Sequence, residues 1–452
     1  MKKLPYGKSD YEQLIENDYY YVDKTRYIEK LENLPETYIM FLRPRKFGKT
    51  LFTSTLENYY DIKRADKFDR LFGDTYIGKN PTALKNSYHI LKFNFSGIDT
   101  SDEETTMYGF KERVAAAINF FAKRYGLDFF VNTESEAEVI LDNLIKAFGL
   151  QRPREKIYVI IDEYDHFANE LLSFNTGKFK ELVSRNGKVR KWYEILKEGT
   201  ESVIDRIFIT GVAPITLDSL TSGFNIISDK TQNFGFNEMM GFTNDELIQM
   251  MEKIELSKEE QEQLLPIMKE NYDGYKFSLD DTEKMYNSNM CLYFLNSYLE
   301  RRKIPTELID VNIASDYTKL GNMLDLCKGE EREKIIKDTV SGESIMSEII
   351  RKFNPAIEFG ERELVSMLFY LGYLTIAGER LEKTELKIPN RVMKELYSSY
   401  FKKGEEGRLQ EKQEEAKKQI EEYAEFEEIK AIEKLSKYTV VAVNDKLYVE
   451  KV

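Results

Sequence analysis

The chain has 452 residues, 42% of them hydrophobic and 32% charged, with a net charge of −13. That length accommodates two or three domains, and that acidity argues against broad non-specific nucleic-acid binding by the whole surface, while leaving room for a local basic patch. Cys291 and Cys327 are too few for a disulfide framework, and His89 and His166 give poor support to histidine-rich zinc sites or a histidine-activated nucleophile.

From the start, MKKLPYGKSDYEQ lacks the apolar core of a signal peptide, and no apolar run approaches the ~20 residues of a membrane span; a cytoplasmic protein without membrane partners is expected. Residues 19–25 (YYYVDKT) read as a β-rich stretch leading into a helical pattern over 26–34. Next comes YIMFLRPRKFGKT over 38–50, an apolar run ending in a loop that closes with Gly48-Lys49-Thr50 and opens the apolar pattern of a helix. Strand, phosphate loop and helix in this order read as a P-loop nucleotide site. Lys49 is placed to neutralise the β- and γ-phosphates, Thr50 to ligate Mg²⁺, and free N–H groups at the helix start to meet phosphate oxygens. The expected nucleotide contacts are Arg45, Lys46, Phe47, Gly48, Lys49, Thr50 and Leu51. The usual G-x-x-x-x-G-K-[ST] begins with glycine, and here that position is Arg43.

A second strand is expected at 89–95, long amphipathic helices at 107–125 and 134–148, and a strand over 156–161 that runs into Asp162-Glu163-Tyr164-Asp165. Its unbroken apolar run fits a strand buried on both faces of a parallel sheet, and carboxylates at its C-terminal end sit where ligands bind in open α/β sheets. Asp162 is then placed to hold Mg²⁺ and Glu163 to orient and deprotonate the attacking water, with Asp165 as the fallback base; alone, the pair also reads as an acidic helix start. A fourth strand, 206–210, is closed by Gly211. Alternating strands and helices predict an α/β fold, a parallel sheet flanked by helices spanning 1–240.

From Gly241 the chain changes character. Thr243 with Glu246 three residues on signals a capped helix, and helical patterns run through 241–340. Helices at 345–353 and 361–371, followed by strands at 373–377 and 381–388, predict a winged-helix-like module over 341–401. Residues 402–434 read as a charge-dense helix, a solvated face or a binding face, and strands 438–443 and 447–452 close a short α+β tail around a turn at 444–446.

These motifs together resemble the bacterial AAA-ATPase-like family of P-loop NTPases. The matching segments are Tyr21-Val22-Asp23-Lys24-Thr25, the 43–50 loop, Ile161-Asp162-Glu163-Tyr164-Asp165 and Phe208-Ile209-Thr210-Gly211-Val212-Ala213-Pro214. They continue with Leu220-Thr221-Ser222-Gly223-Phe224-Asn225-Ile226, Gly241-Phe242-Thr243 and Tyr272-Asp273-Gly274-Tyr275-Lys276-Phe277. The resemblance accounts for Arg43, because the family writes its loop R-P-R-R-F-G-K-T; the arginine then either adds a cation near the phosphates or points into solvent. It also makes Thr210 a polar sensor beside the γ-phosphate, against the plainer reading of a threonine closing a buried strand, and makes residues 23–25 a lip over the base. Relatives often carry a C-terminal PD-(D/E)xK nuclease-like domain. The stretch between Phe401 and Glu414 is too short for its catalytic strands, so 402–452 is expected to be a remnant without nuclease activity.

The implied function is a slow Mg²⁺-dependent ATPase that couples nucleotide state to domain rearrangement; no base-reading motif such as N-K-x-D separates ATP from GTP. The alternative is a nucleotide-stabilised scaffold with little turnover that binds a protein or nucleic acid. A homo-oligomer is compatible with either, since arginine fingers commonly come from a neighbouring subunit; Arg190 and Arg206 flank the core as candidates.

Overall fold

The computed structural model describes residues 2–166, 187–214, 224–310, 320, 324, 330–351, 353, 360–425, 437–443 and 446–451. Expectations that fall on Leu220-Thr221-Ser222-Gly223, Cys327, the 426–434 part of the charged helix and Asn444-Asp445 lie outside these residues. The chain divides into two compact units, Met1–Val392 and Met393–Val452.

The first unit is built on a five-stranded sheet: β1 Tyr38–Leu42, β2 His89–Asn94, β3 Ile157–Asp162, β4 Ile204–Gly211 and the two-residue β5 Ser228–Asp229, in the order β2-β3-β4-β1-β5. All neighbours are parallel, as strands joined by crossover helices must be. Every residue of β3 is buried, which is why its sequence shows no polar alternation. The helices Glu103–Tyr125, Ala137–Gln151 and Gly187–Gly199 supply covering faces, and Trp192 meets Phe93, Phe95 and Phe110 edge-on at 5.0, 5.8 and 5.7 Å. The register aligns Leu42 with Gly211, Ile161 with Ile209 and Asn94 with Asp162. The C-terminal ends of β1, β3 and β4 therefore emerge side by side, where an open parallel sheet binds its ligand.

Two expectations are corrected here. Residues 19–25 form no strand beyond an isolated Lys3–Tyr19 bridge; Tyr21 instead packs against Tyr11, with ring centroids 5.0 Å apart. Aromatic content there serves a side-chain cluster and not a ladder. Residues 345–353 are not a helix, because Ile345–Ser347 is strand β6, paired with the strand Lys383–Lys387. A run this short carries too few residues to separate period 2 from period 3.6.

After the sheet come the helices Asn244–Lys253, Lys258–Tyr272, Ser288–Arg301 and Glu330–Ser341. The first begins with the expected reciprocal Thr243–Glu246 capping box. A three-stranded antiparallel sheet follows, β6-β8-β7, with β7 Thr375–Arg380 and β8 Lys383–Lys387, and the helix Glu361–Tyr370 lies between β6 and β7 in sequence. The segment 272–277 ties this sheet to the helices. Lys276 N–H donates to Thr375 Oγ1 at 2.7 Å, and Ile376 N–H donates to the Lys276 carbonyl at 3.3 Å. Gly274, at φ +102°, passes so close to Pro389 that a Cβ would stand 2.1 Å from its carbonyl oxygen.

The helix Arg391–Ala424 leads into the second unit, which also holds the antiparallel hairpin β9 Tyr438–Val443 and β10 Lys446–Lys451. Lys417 and Glu450 pair at 2.9 Å. Val441 is buried while Val440 and Val449 are exposed.

Candidate functional site

Between β1 and the helix Lys49–Tyr60 the chain must turn sharply, and it does so with Lys46 at φ +70° and Gly48 at φ +92°. Only glycine adopts the second of these without strain, which explains why the loop closes with it. Gly48 caps the helix without a side chain, so the first-turn N–H groups receive no side-chain cap. Lys49 is buried, and its ammonium donates to the carbonyls of Arg43 and Pro44, both at 3.0 Å. The lysine thus braces its own loop. Burial pushes its pKa down, opposed by Glu163, Asp165 and Asp162.

Asp162, the last residue of β3, is fully buried, and neither carboxylate oxygen has a well-formed hydrogen bond to protein. Burial raises its pKa, with Glu163 adding to the rise and Lys92, Lys49 and the Thr50 hydroxyl opposing it. Glu163 follows at φ +53°, a conformation that costs a non-glycine residue strain. It swings the side chain off the strand axis and into a cleft. His166 Nδ1 lies 3.2 Å from Glu163 Oε2, and this contact, ahead of Lys49 and Arg45, holds the carboxyl below the usual range.

The cleft, about 500 Å³, is lined by Arg45, Lys46, Phe47, Gly48, Lys49, Thr50, Leu51 and Glu163 from the expected set. Asp162, Asp165 and Thr210 are not among its lining residues. Asp165 faces the chain after β4, accepting from Val212 N–H at 3.0 Å and Ala213 N–H at 2.7 Å. Gly211 makes that possible, since a Cβ there would meet Asp165 Oδ1 at 2.2 Å. Thr210 is buried, its hydroxyl donating to the Phe41 carbonyl at 2.9 Å. Asp23 accepts from the backbone of Thr25 and Tyr76, while Lys24, which does line the cleft, is held by Glu246 at 2.6 Å. The remaining wall comes from residues that sequence spacing did not flag: Pro5, Gly7 and Tyr20 on one side, Met240, Phe242 and Leu292 on another, with His166 beside Glu163. Of the lining residues outside the loop and the acidic strand end, Tyr21, Val22, Lys24, Gly241 and Phe242 come from segments that carried a sequence signal.

Arg43 does neither of the two things expected of it. It is buried, with its guanidinium 4.1 Å from the ring centres of both Phe41 and Phe277, and it donates to the carbonyls of Leu42, Thr231 and Phe236 at 2.9, 2.8 and 3.0 Å. The loop's other residues are anchored similarly. Lys46 carbonyl accepts from Ser288 Oγ at 3.0 Å and Asn289 N–H at 3.3 Å; Phe47 carbonyl accepts from Gly241 N–H at 3.0 Å. The Phe47 ring stands edge-on to Tyr275 and Phe277, and a Cβ on Gly372 would meet Pro44 Cβ at 2.8 Å. The non-glycine loop thus binds phosphate-loop geometry to three later segments. Arg43→Met is expected to lower stability by about 2–4 kcal/mol in urea denaturation, because methionine fills the slot but leaves the buried carbonyls without donors.

Strand, glycine-closed loop and helix, with a lysine in the first turn and an acidic strand end two strands away, define a P-loop NTPase fold. Residues 5–221, just under half of the chain, match the family described as AAA-ATPase_like, Predicted AAA-ATPase. For that segment the similarity implies a nucleotide-binding fold. An uncharacterized protein in the vnfD 5′ region of Azotobacter chroococcum mcd 1 is 23% identical over 383 residues, which cover 83% of this chain and 64% of that protein. The aligned region therefore spans just under two thirds of the relative. Among the described residues no helix is long and apolar enough to cross a membrane.

Proposed function

We propose that the chain binds ATP with Mg²⁺ at the 45–51 loop, hydrolyses it, and transmits the nucleotide state to the helical region and the small antiparallel sheet. The observation that carries this reading is the double attachment of the loop: Gly48, Lys49 and Thr50 line the cleft, while Arg43, Pro44, Lys46 and Phe47 hold segments 231–241, 275–289 and 372. A phosphate entering the loop competes with the Arg43 and Pro44 carbonyls for Lys49, so binding loosens one set of loop contacts as it makes another.

The donor set fits a hard divalent cation. Asp162 offers a buried carboxylate lacking well-formed protein hydrogen bonds, and Thr50 a hydroxyl that acts on it. Mg²⁺ held there would offset charge on the β- and γ-phosphates. Glu163, with the depressed pKa of an ionised carboxylate, serves as proton acceptor for the attacking water. Thr210 and Asp165 contribute by fixing the ends of β4 and of the acidic loop: Thr210 ties β4 to β1, and Asp165 ties the loop to 212–213. The strand order β6-β8-β7, with a helix between β6 and β7, supports a winged-helix-like reading of 341–401, beside domains at 1–240, 241–340 and a nuclease-domain remnant at 402–452.

Asp162→Asn tests the cation site. Titration calorimetry is expected to give ATP affinity that no longer depends on Mg²⁺, while the nucleotide-free protein gains thermal stability because a buried, poorly partnered charge is removed. Wild-type Mg²⁺ dependence in that variant would exclude Asp162 from the site.

A further inference from the structure

The side chains of Asp23-Lys24-Thr25 bind two different parts of the fold. Asp23 accepts from Thr25 N–H at 2.8 Å and Tyr76 N–H at 2.7 Å, and Thr25 Oγ1 accepts from Ile77 N–H at 3.1 Å, which pins the segment to the short helix Tyr76–Lys79. Lys24, between them, reaches the segment that opens the helical region. Its ammonium donates to the Glu238 carbonyl at 2.8 Å and to Glu246 Oε2 at 2.6 Å, with the two side chains only 8% and 18% exposed. Glu246 Oε2 also accepts from Thr243 N–H at 2.8 Å, so the same oxygen closes the capping box of the helix Asn244–Lys253. On the more exposed rim Arg26 repeats the link, pairing with Glu238 at 2.6 Å. A capping box is complete without a lysine, whereas a lysine buried to this extent needs a carboxylate. The ion pair, spanning 222 residues of sequence, is thus additional to what the helix start requires.

Both joined segments line the cleft: Tyr20, Tyr21 and Val22 come just before Lys24, and Met239, Met240 and Phe242 lie between Glu238 and Glu246. With phosphates at the 45–51 loop, the ribose and base have this largely apolar wall to lie against. We propose that Lys24 and Glu246 form a latch, a positioning pair that holds the opening of the helical region against the segment before the loop and so slows the escape of bound nucleotide. This rests on reading the loop as a nucleotide site. The pair acts on the walls and not on the phosphates. Nucleotide leaves as the two segments part, and loss of a buried ion pair raises dissociation rates more than it changes encounter rates. By linkage, bound nucleotide in turn holds the start of the helix Asn244–Lys253 in place.

The test uses the full chain with Lys24→Met, Glu246→Gln and both together; glutamine serves a capping box as well as glutamate, so these variants remove the charge pair and spare the helix start. The probes, each with Mg²⁺, are ribose-labelled fluorescent ATP, followed by stopped flow, and inorganic tripolyphosphate, which engages the loop but not the apolar wall. Each single variant is expected to release the labelled ATP about tenfold faster, with association within about twofold and tripolyphosphate affinity unchanged; the double variant should match the singles instead of multiplying them. Unchanged release in Lys24→Met, with circular dichroism verifying the fold, would overturn the proposal. So would opposite effects of the singles, Glu246→Gln tightening the labelled ATP while Lys24→Met weakens it, the signature of a lysine that contacts the nucleotide itself. Tripolyphosphate affinity falling by the same factor as that for labelled ATP would overturn it too, by showing that the substitutions act on the loop. Should Glu246→Gln fail to fold around an unpaired lysine, the double variant, which buries no such charge, decides the matter by the same readings. A wild type that binds neither probe removes the reading of the loop as a nucleotide site, whereas one that binds both and fails only the release test leaves that reading standing and removes the latch.

Discussion

Lys49→Ala is expected to weaken ATP binding about a hundredfold or more. The ammonium bridges the carbonyls of Arg43 and Pro44, 3.0 Å from each, inside a buried loop. A buried charge-assisted contact to phosphate contributes about 3 kcal/mol, and each 1.4 kcal/mol is tenfold in affinity. Alanine removes that contact and also releases two carbonyls from their donor, so the loop becomes less well formed at the moment phosphate arrives. Calorimetric titration, with circular dichroism to verify the fold, checks the result. Unchanged affinity in a folded variant would dismiss the loop as the nucleotide site.

Glu163→Gln should leave ATP affinity nearly intact and reduce turnover by about 10²–10⁴-fold, the range associated with losing a general base. Glutamine fills the same volume and keeps the contact to His166, but it cannot take a proton. The strained backbone at Glu163, φ +53°, directs this side chain into the cleft, which Asp162 does not line. Equal turnover in single-turnover measurements would take the base role away from Glu163. Asp165 would then be a poor substitute, since it is buried and already accepts from Val212 and Ala213. The chain would be better described as a nucleotide-held scaffold.

The sheet strands and the loop were legible because each is a local pattern: an uninterrupted apolar run for β3, a glycine-closed turn before a helix, a capping box at Thr243. What local patterns cannot carry is the destination of a side chain. Nothing near Arg43 in sequence announces that Phe277 and the carbonyls of Thr231 and Phe236 will receive it, because those partners lie far along the chain. The same holds for Asp165, whose donors belong to the segment after β4. The two-residue β5 and three-residue β6 were missed for a different reason, being too short for any periodicity to register. His166 went unassigned because a histidine three residues past a glutamate is unremarkable until Glu163 adopts a positive φ and turns toward it.

The phosphate loop is expected to connect bound nucleotide to the segments that grip it. Hydrogen–deuterium exchange of the full chain with and without Mg²⁺-ATP tests this most directly, because it reads every loop contact at once. Changed exchange is expected at 43–51 together with changes at 236–242, 286–292 and 372–376, the segments bonded to or packed on Arg43, Pro44, Lys46 and Phe47. Changes confined to 43–51, with those later segments exchanging as in the nucleotide-free protein, would contradict it.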